Sequence, residues 1–161
     1  MKFPKRAAPT TDGISAANYL RIQDGQSVTG ILRGELFEFW QKWPKGGMKE
    51  VFASPTPGAS PRFKVNIVIQ EDGEFVARVF EFGPRVYDQF SDASSELDLS
   101  KTKIKISRRG SEKNTTWSVI PLGPIDARAI KSIEAVHLNT LALPGEGVAS
   151  EPAPSGEDVP F

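Results

Sequence analysis

The segment from Arg62 to Phe82 restricts the fold most, because it has the pattern of a β-hairpin. Apolar and polar residues alternate over 62–70, which is the two-residue period of a strand with one buried face. The side chains predicted to point inward are Phe63, Val65, Ile67 and Ile69. Those predicted to point outward are Arg62, Lys64, Asn66 and Gln70, with Val68 as an exception. Asp72-Gly73 is typical of a tight turn, and 75–82 supplies the returning strand.

Further strand-like and helix-like segments surround this hairpin. A long apolar stretch before it contains Gly30 and Gly34, which are typical of bulges or barrel bends. Pro84 suits the first turn of a helix. The predicted elements are a strand over 28–40, a loop over 41–61, the hairpin, a helix over 84–97, strands over 101–109 and 115–122, and an amphipathic helix over 126–141.

The order of these elements predicts a fold that is mainly β. Five strands with a helix between the third and fourth is the order of an oligonucleotide/oligosaccharide-binding (OB) barrel. A different small β-barrel or an α+β sandwich remains an alternative. We expect a flexible N-terminal arm over 1–17, an OB-fold domain over 18–143 that includes the C-terminal helix, and a disordered acidic tail over 144–161.

The charge is divided unevenly between these parts. The chain has 20 basic and 20 acidic residues, so its formal net charge is zero. All 20 basic residues precede Pro144, whereas only 16 acidic residues do, which gives residues 1–143 a net charge of +4. The four remaining acidic residues lie in the tail. We therefore interpret the neutral chain as a basic body joined to an acidic tail.

Several function classes find no support in the sequence. The chain has no cysteine, which excludes disulfides, thiolate zinc sites and a cysteine nucleophile. A single histidine, His137, excludes a histidine-based metal cluster. No phosphate-binding loop, zinc helix or nucleophile elbow is present, so we expect neither an enzyme nor a cofactor. The N-terminus lacks the apolar core of a signal peptide, and no apolar run is long enough for a membrane span, so we expect a cytoplasmic protein.

Two clusters of residues have a composition that suits nucleic acid, because aromatic rings stack on bases while lysine and arginine contact phosphates. One lies in and beside the predicted loop: Trp40, Lys42, Trp43, Lys45, Lys49, Phe52, Arg62 and Lys64. The other lies in the second hairpin: Lys101, Lys103, Lys105, Arg108, Arg109 and Lys113. In an OB barrel both would border the ligand-binding face. The alternatives are that Trp40 closes the barrel end and Trp43 covers it, and that Lys101 and Lys103 protect a strand edge from aggregation.

Two segments resemble a known family. The tip Gly156-Glu-Asp-Val-Pro-Phe161 resembles the acidic C-terminal tip of bacterial single-stranded-DNA-binding proteins. Phe82–Tyr87 and the hairpin region Leu97–Pro121, with its Lys-Ile-Ser-Arg-Arg-Gly run and Trp117-Ser-Val-Ile-Pro strand, resemble phage single-stranded-DNA-binding proteins that join another OB domain to such a tip.

This resemblance implies sequence-independent binding of single-stranded DNA in replication, recombination and repair, within the host cytoplasm if the chain is phage-encoded. It also implies that the tip recruits partner proteins of these processes through Glu157, Asp158, Val159, Pro160 and Phe161. A homodimer is one expected assembly. The resemblance and the two clusters together give the predicted DNA-binding set: Trp40, Trp43, Lys45, Lys49, Phe52, Arg62, Lys64, Lys105, Arg108, Arg109, Lys113 and Trp117.

Three alternatives remain open at this point. The β-domain could bind other proteins, for example in virion assembly, without any affinity for nucleic acid. Clustered carboxylates could instead hold the metal ion of a nuclease. A preference for RNA over DNA is a further variant of the first hypothesis.

Overall fold

The computed structural model describes residues 18–111 and 114–143. The predicted arm, the predicted tail with its tip, and Lys113 lie outside the described residues. The elements are β1 (Ser27–Lys42), β2 (Glu50–Phe52), β3 (Ser60–Glu71), β4 (Glu74–Phe82), α1 (Pro84–Ser94), β5 (Thr102–Arg109), β6 (Thr116–Pro124), a 3-10 turn (Ala127–Ala129) and α2 (Ile130–Glu134). The prediction of a mainly β fold is confirmed.

The six strands form one antiparallel sheet in the order β4-β3-β1-β5-β6, and the short β2 pairs with the end of β1. β1 is the shared strand: Ser27–Gly30 pair with β5, whereas 31–33 and 37–41 pair with β3. Along the described chain no ladder joins β4 to β6, so the sheet is not closed into a barrel.

Local sequence explains the turn and the closest contact in the sheet. The β3–β4 hairpin turns at Asp72 and Gly73, both of which have positive φ (52° and 84°), as a two-residue I′ turn requires. In β1, a Cβ on Gly30 would lie only 2.7 Å from the carbonyl oxygen of Val68, so β3 can approach this closely only because residue 30 has no side chain. The predicted bulge in β1 lies at Gly34, between Arg33 and Phe37.

The main core lies on one face of the sheet, which we call the inner face. Its buried members come from β3, β4, β5, α1 and the segment before β1: Ile22, Phe63, Val65, Ile67, Ile69, Phe80, Phe82, Val86, Phe90, Ile104 and Ile106. The inward set predicted for β3 is therefore confirmed. The helix α1 packs on this core through Val86 and Phe90.

The opposite, outer face of β3 differs from the prediction. Lys64 and Asn66, which were expected to be exposed, are buried, with 0% and 3% of their surface accessible. The reason is a second core, in which Ile133 packs with Ile31, Val68 and Ala77. The apolar Val68 among the polar positions was the sequence signal for this second buried face.

A C-terminal segment, residues 125–143, covers the outer face at this position. The predicted helix over 126–141 is wrong in extent, since only Ile130–Glu134 is α-helical after a single 3-10 turn. Beyond α2, the backbone of Asn139 is hydrogen-bonded to the side chain of Asn66, and Leu138 and Leu141 pack towards the sheet. These contacts with the sheet replace the hydrogen bonds that a longer helix would make.

Candidate nucleic-acid interface

The loop between β1 and β3 exposes an indole ring beside cations. Trp43 follows the last residue of β1 and is 66% exposed. The ammonium nitrogen of Lys49 lies 5.9 Å from the centre of its ring, which is within cation–π distance. Lys45 is exposed in the same loop, and Met48 is 85% exposed. A flat aromatic surface and positive charge therefore lie together in solvent at the end of β1.

The base of this loop is held by β2. Trp40 pairs with Phe52 and Lys42 with Glu50 across the two strands, and the Lys42 ammonium lies 3.9 Å from the Glu50 carboxylate. The same ammonium lies 5.5 Å from the centre of the Phe52 ring. Trp40 and Phe52 are half-buried, so they support the loop more than they extend into solvent.

A second surface is the outer face of the hairpin formed by β5 and β6. Cross-strand partners place nine side chains on it: Ser27, Thr29, Lys103, Lys105, Ser107, Arg109, Thr116, Ser118 and Ile120. None of these nine is acidic and three are cationic, and Lys103 and Arg109 are exposed. Lys105 lies in the middle, between Thr29 and Ile120. This face combines positive charge, hydroxyl groups and an exposed apolar side chain.

An acidic residue does lie at one end of this face. The carboxylate of Asp24 accepts the backbone N–H of Gly110 at 2.7 Å, immediately after Arg109. This hydrogen bond fixes the chain as it leaves β5, at the start of the turn to β6. The positive face is therefore bounded by Asp24 at the turn.

The two surfaces lie at opposite ends of β1 and do not form a single cluster. The loop with Trp43 follows the C-terminal end of β1, whereas Arg109 lies beyond the pairing of Ser107 with Ser27 at its N-terminal end. A strand of 16 residues is about 50 Å long at about 3.3 Å per residue, and the bulge at Gly34 shortens the direct path.

Two predicted DNA-contacting residues have partners within the protein. The ammonium of the buried Lys64 donates to the carbonyl oxygen of Ala142 at 3.1 Å and lies over the rings of Tyr19 and Phe39. Arg62 is half-buried and pairs with Glu81 at 3.2 Å. Lys64 therefore has no path to a phosphate while the C-terminal segment is in place.

Arg108 and Trp117 face the inner side of the sheet. Trp117 is half-buried against the main core, with its ring centre 5.8 Å from that of Phe80. The Arg108 guanidinium lies over the Trp117 ring and donates to the carbonyl oxygen of Ile22 at 2.9 Å. Both residues thus have structural contacts inside the fold, and neither shares a face with Lys105.

Sequence reasoning missed one residue of the second surface. Lys103 was noted in the basic cluster but left out of the predicted DNA-binding set, although it shares the face of Lys105 and is exposed. The two-residue alternation of β5 was the signal that could have included it.

Among the described residues, no group of three or more histidine, cysteine, aspartate or glutamate side chains could hold a metal ion. Within those same ranges, no helix is both long and apolar enough to cross a bilayer. Comparison of the chain with protein-family models, with curated proteins and with solved structures gives no match in any of the three.

Proposed function

We propose that this protein binds single-stranded DNA without sequence specificity, as a non-enzymatic component of DNA replication, recombination or repair. The observation that carries the proposal is the exposed Trp43 ring with Lys45 and Lys49 beside it. Stacking on an aromatic ring is tolerant of sequence because every base has a π-face, and ammonium groups attract the adjacent phosphates. No cofactor takes part in this binding.

The outer face of β5 supplies the second part of the proposed interface. Lys103, Lys105 and Arg109 would contact phosphates, and their spacing of two residues or more along β5 suits successive positions of an extended backbone. Because phosphate contacts are independent of base identity, this surface adds affinity and salt dependence without adding specificity. A single DNA strand that contacts both surfaces would run along the length of β1.

We propose in addition that the sheet is an OB-type barrel with an open seam. The five long strands and the helix between β4 and β5 have the order of that fold. At the seam, the side-chain amide of Gln89 on α1 donates to the carbonyl oxygen of Trp117 and accepts the N–H of Val119. Gln89 thereby binds the edge of β6 as a neighbouring strand would.

Titration with oligo-dT tests the DNA-binding proposal. Trp43→Ala should weaken binding by about 5- to 150-fold, since stacking of one base contributes about 1–3 kcal/mol. Met48→Ala is the matched control, because it removes an even more exposed apolar side chain from the same loop and should leave affinity within about twofold. Trp43→Phe should recover most of the affinity.

Three outcomes would contradict the proposal. Wild-type protein that binds duplex as tightly as oligo-dT is not a single-strand binder. Equal losses of oligo-dT affinity in Trp43→Ala and Met48→Ala would mean that the loop contributes through apolar contacts in general and not through base stacking. Tighter binding to oligo-U than to oligo-dT would replace the DNA proposal with RNA binding.

We propose that the tip Glu157–Phe161 recruits partner proteins of DNA metabolism. It combines two carboxylates with the apolar Val159 and Phe161, which suits an apolar pocket bordered by arginine or lysine. Deletion of these five residues should abolish capture of such partners from host extract and leave oligo-dT affinity unchanged or higher. A fall in oligo-dT affinity would contradict separate roles for body and tip.

A further inference from the structure

A cavity of about 280 Å³ lies between the bulge of β1 and the C-terminal segment. Four apolar side chains line it, namely Leu36, Phe37, Leu138 and Leu141, and Glu35 is the charged residue at its wall. Leu36 and Glu35 are exposed, so the cavity is accessible from solvent. Its volume is just below the range of about 300–1,000 Å³ that is typical of small-molecule pockets, and suits one or two apolar side chains.

Both ends of the described chain lead towards this cavity. At the N-terminal end, Tyr19 forms a small buried cluster with Val79, and the cavity-lining Leu141 packs against that cluster. At the C-terminal end, the described chain stops at Leu143, two residues beyond Leu141. The described chain therefore begins and ends near the cavity, and the segments 1–17 and 144–161 each carry an apolar residue that would fit it.

Charge distinguishes the two segments. The N-terminal segment presents Phe3 and Pro4 between Lys2 and the pair Lys5-Arg6. The C-terminal tip presents its apolar residues beside carboxylates, which Glu35 at the cavity wall would repel. An apolar side chain with cations on both sides matches the cavity better than one with anions.

We propose that the chain's own N-terminal segment docks in this cavity, with Phe3 among the leucines and Lys5 or Arg6 beside Glu35. Fourteen residues lie between Phe3 and Asn18, where the described structure begins. A random-coil chain of that length has an r.m.s. end-to-end distance of about 20 Å, which is enough to reach a neighbouring surface. This docking does not depend on DNA binding.

Paramagnetic broadening in the full-length protein tests this proposal. The chain has no cysteine, so a nitroxide attached to Ala8→Cys gives one label in the N-terminal segment. We expect the methyl signals of Leu36, Leu138 and Leu141 to lose more than half of their intensity, while Ile120 on the outer face of β6 keeps its signal. Phe3→Ala in the labelled chain should restore the leucine signals.

Charge reversal at the cavity wall provides the matched comparison. Glu35→Lys should restore at least half of the lost intensity, because it replaces attraction of Lys5 and Arg6 with repulsion. Glu38→Lys, on the same strand and also exposed but outside the cavity wall, should leave the broadening as in the parent. Equal behaviour of the two variants would overturn the role of Glu35.

The remaining outcomes each overturn the proposal. Leucine signals that stay intact with the Ala8→Cys label show that the segment does not dock. Broadening only when labelled and isotope-enriched chains are mixed as separate molecules assigns the cavity to a neighbouring copy. Broadening from a label at Ser155→Cys in place of Ala8→Cys assigns it to the C-terminal tip.

Discussion

The two halves of the sheet share β1 but differ in what lies on their outer faces. In one half, formed by β3, β4 and residues 31–41 of β1, the C-terminal segment covers that face. We call this the covered half. In the other, formed by β5, β6 and Ser27–Gly30, the same side of the sheet bears Lys105 and its cationic neighbours. We call this the open half.

Two lysines show the difference between the halves, because each occupies a polar position in the alternating pattern of its strand. Lys64 in the covered half is fully buried, whereas Lys105 in the open half is partly exposed. Burial of an ammonium group is costly unless polar partners replace water, and Lys64 has the Ala142 carbonyl and two aromatic rings. Alternation alone therefore does not reveal whether a polar face is in contact with solvent.

The largest expected contrast between the halves concerns the free energy of unfolding. Substitution of one isoleucine in each half tests it. Ile133 is 2% exposed beneath the covered half, whereas Ile120 is 47% exposed on the open half. Ile133→Ala should lower the free energy of unfolding by about 2–5 kcal/mol, because it removes buried surface and leaves a cavity. Ile120→Ala should change it by about 0.5 kcal/mol or less. Urea denaturation of both variants measures the difference, and similar losses would mean that the C-terminal segment is not a true part of the core.

The next contrast concerns the polar contacts beneath the C-terminal segment. Asn66 is buried and exchanges three hydrogen bonds of 2.9–3.1 Å with Asn139. Asn66→Ala should lower the free energy of unfolding by about 2–3 kcal/mol, because it leaves polar groups of Asn139 without their partner. Gln70→Ala, at the exposed end of the same strand, is the control and should change it by about 0.5 kcal/mol or less. Urea denaturation measures both variants, and a lower midpoint with an unchanged slope corresponds to a lower free energy of unfolding. If Asn66→Ala left the midpoint unchanged, the hydrogen bonds with Asn139 would not stabilise the fold.

Local patterns were enough to predict single turns, element starts and the inner face of β3, but not what covers the outer face of the sheet. The Asp72-Gly73 turn, the inward-facing set of β3 and the helix start at Pro84 each depend on neighbours in the sequence, and each was confirmed. The burial of Lys64 depends on Ala142, 78 positions away, and no local period contains that information. The short β2 was missed for a related reason, since three residues pair only because β1 extends to Lys42.

The candidate site follows the same division. Trp43 and Lys105 occupy exposed or half-exposed positions, as their loop and strand patterns indicate. Arg108 and Trp117 were predicted from charge and aromaticity, which do not specify the face of a strand. The register of β5 with β6 puts them directly opposite each other on the inner side. Composition therefore indicates the region of the candidate site, while the placement of individual side chains requires the strand register.

The salt dependence of the proposed DNA binding is a smaller contrast that tests the open half directly. Neutralising Lys105 or Arg109 with glutamine should reduce the slope of log K against log [salt] for oligo-dT by about 0.7 for each lost phosphate contact. Arg62→Gln in the covered half should leave the slope unchanged, because Glu81 already pairs with Arg62. Fluorescence titrations at several NaCl concentrations give the slopes. A slope that falls in Arg62→Gln but not in Lys105→Gln would move the interface to the covered half.

The smallest expected effect concerns the turn that leads into the open half. The Ser100 hydroxyl and backbone N–H donate to the Asp98 carboxylate at 2.6 and 3.0 Å, and these hydrogen bonds, with Lys101 nearby, lower the pKa of Asp98 below its usual 3.8. Because the pKa is lower in the folded protein, ionised Asp98 stabilises the fold above pH 3.8, and this contribution is lost as pH falls through the lowered pKa. Urea midpoints measured from pH 5 downwards should therefore fall slightly less in Asp98→Asn than in the parent. Ser100→Ala removes the hydroxyl, the largest cause of the shift, and should give most of the same change. A steeper fall in Asp98→Asn would mean that the carboxylate is strained in the folded turn and that the sign of its contribution is the opposite.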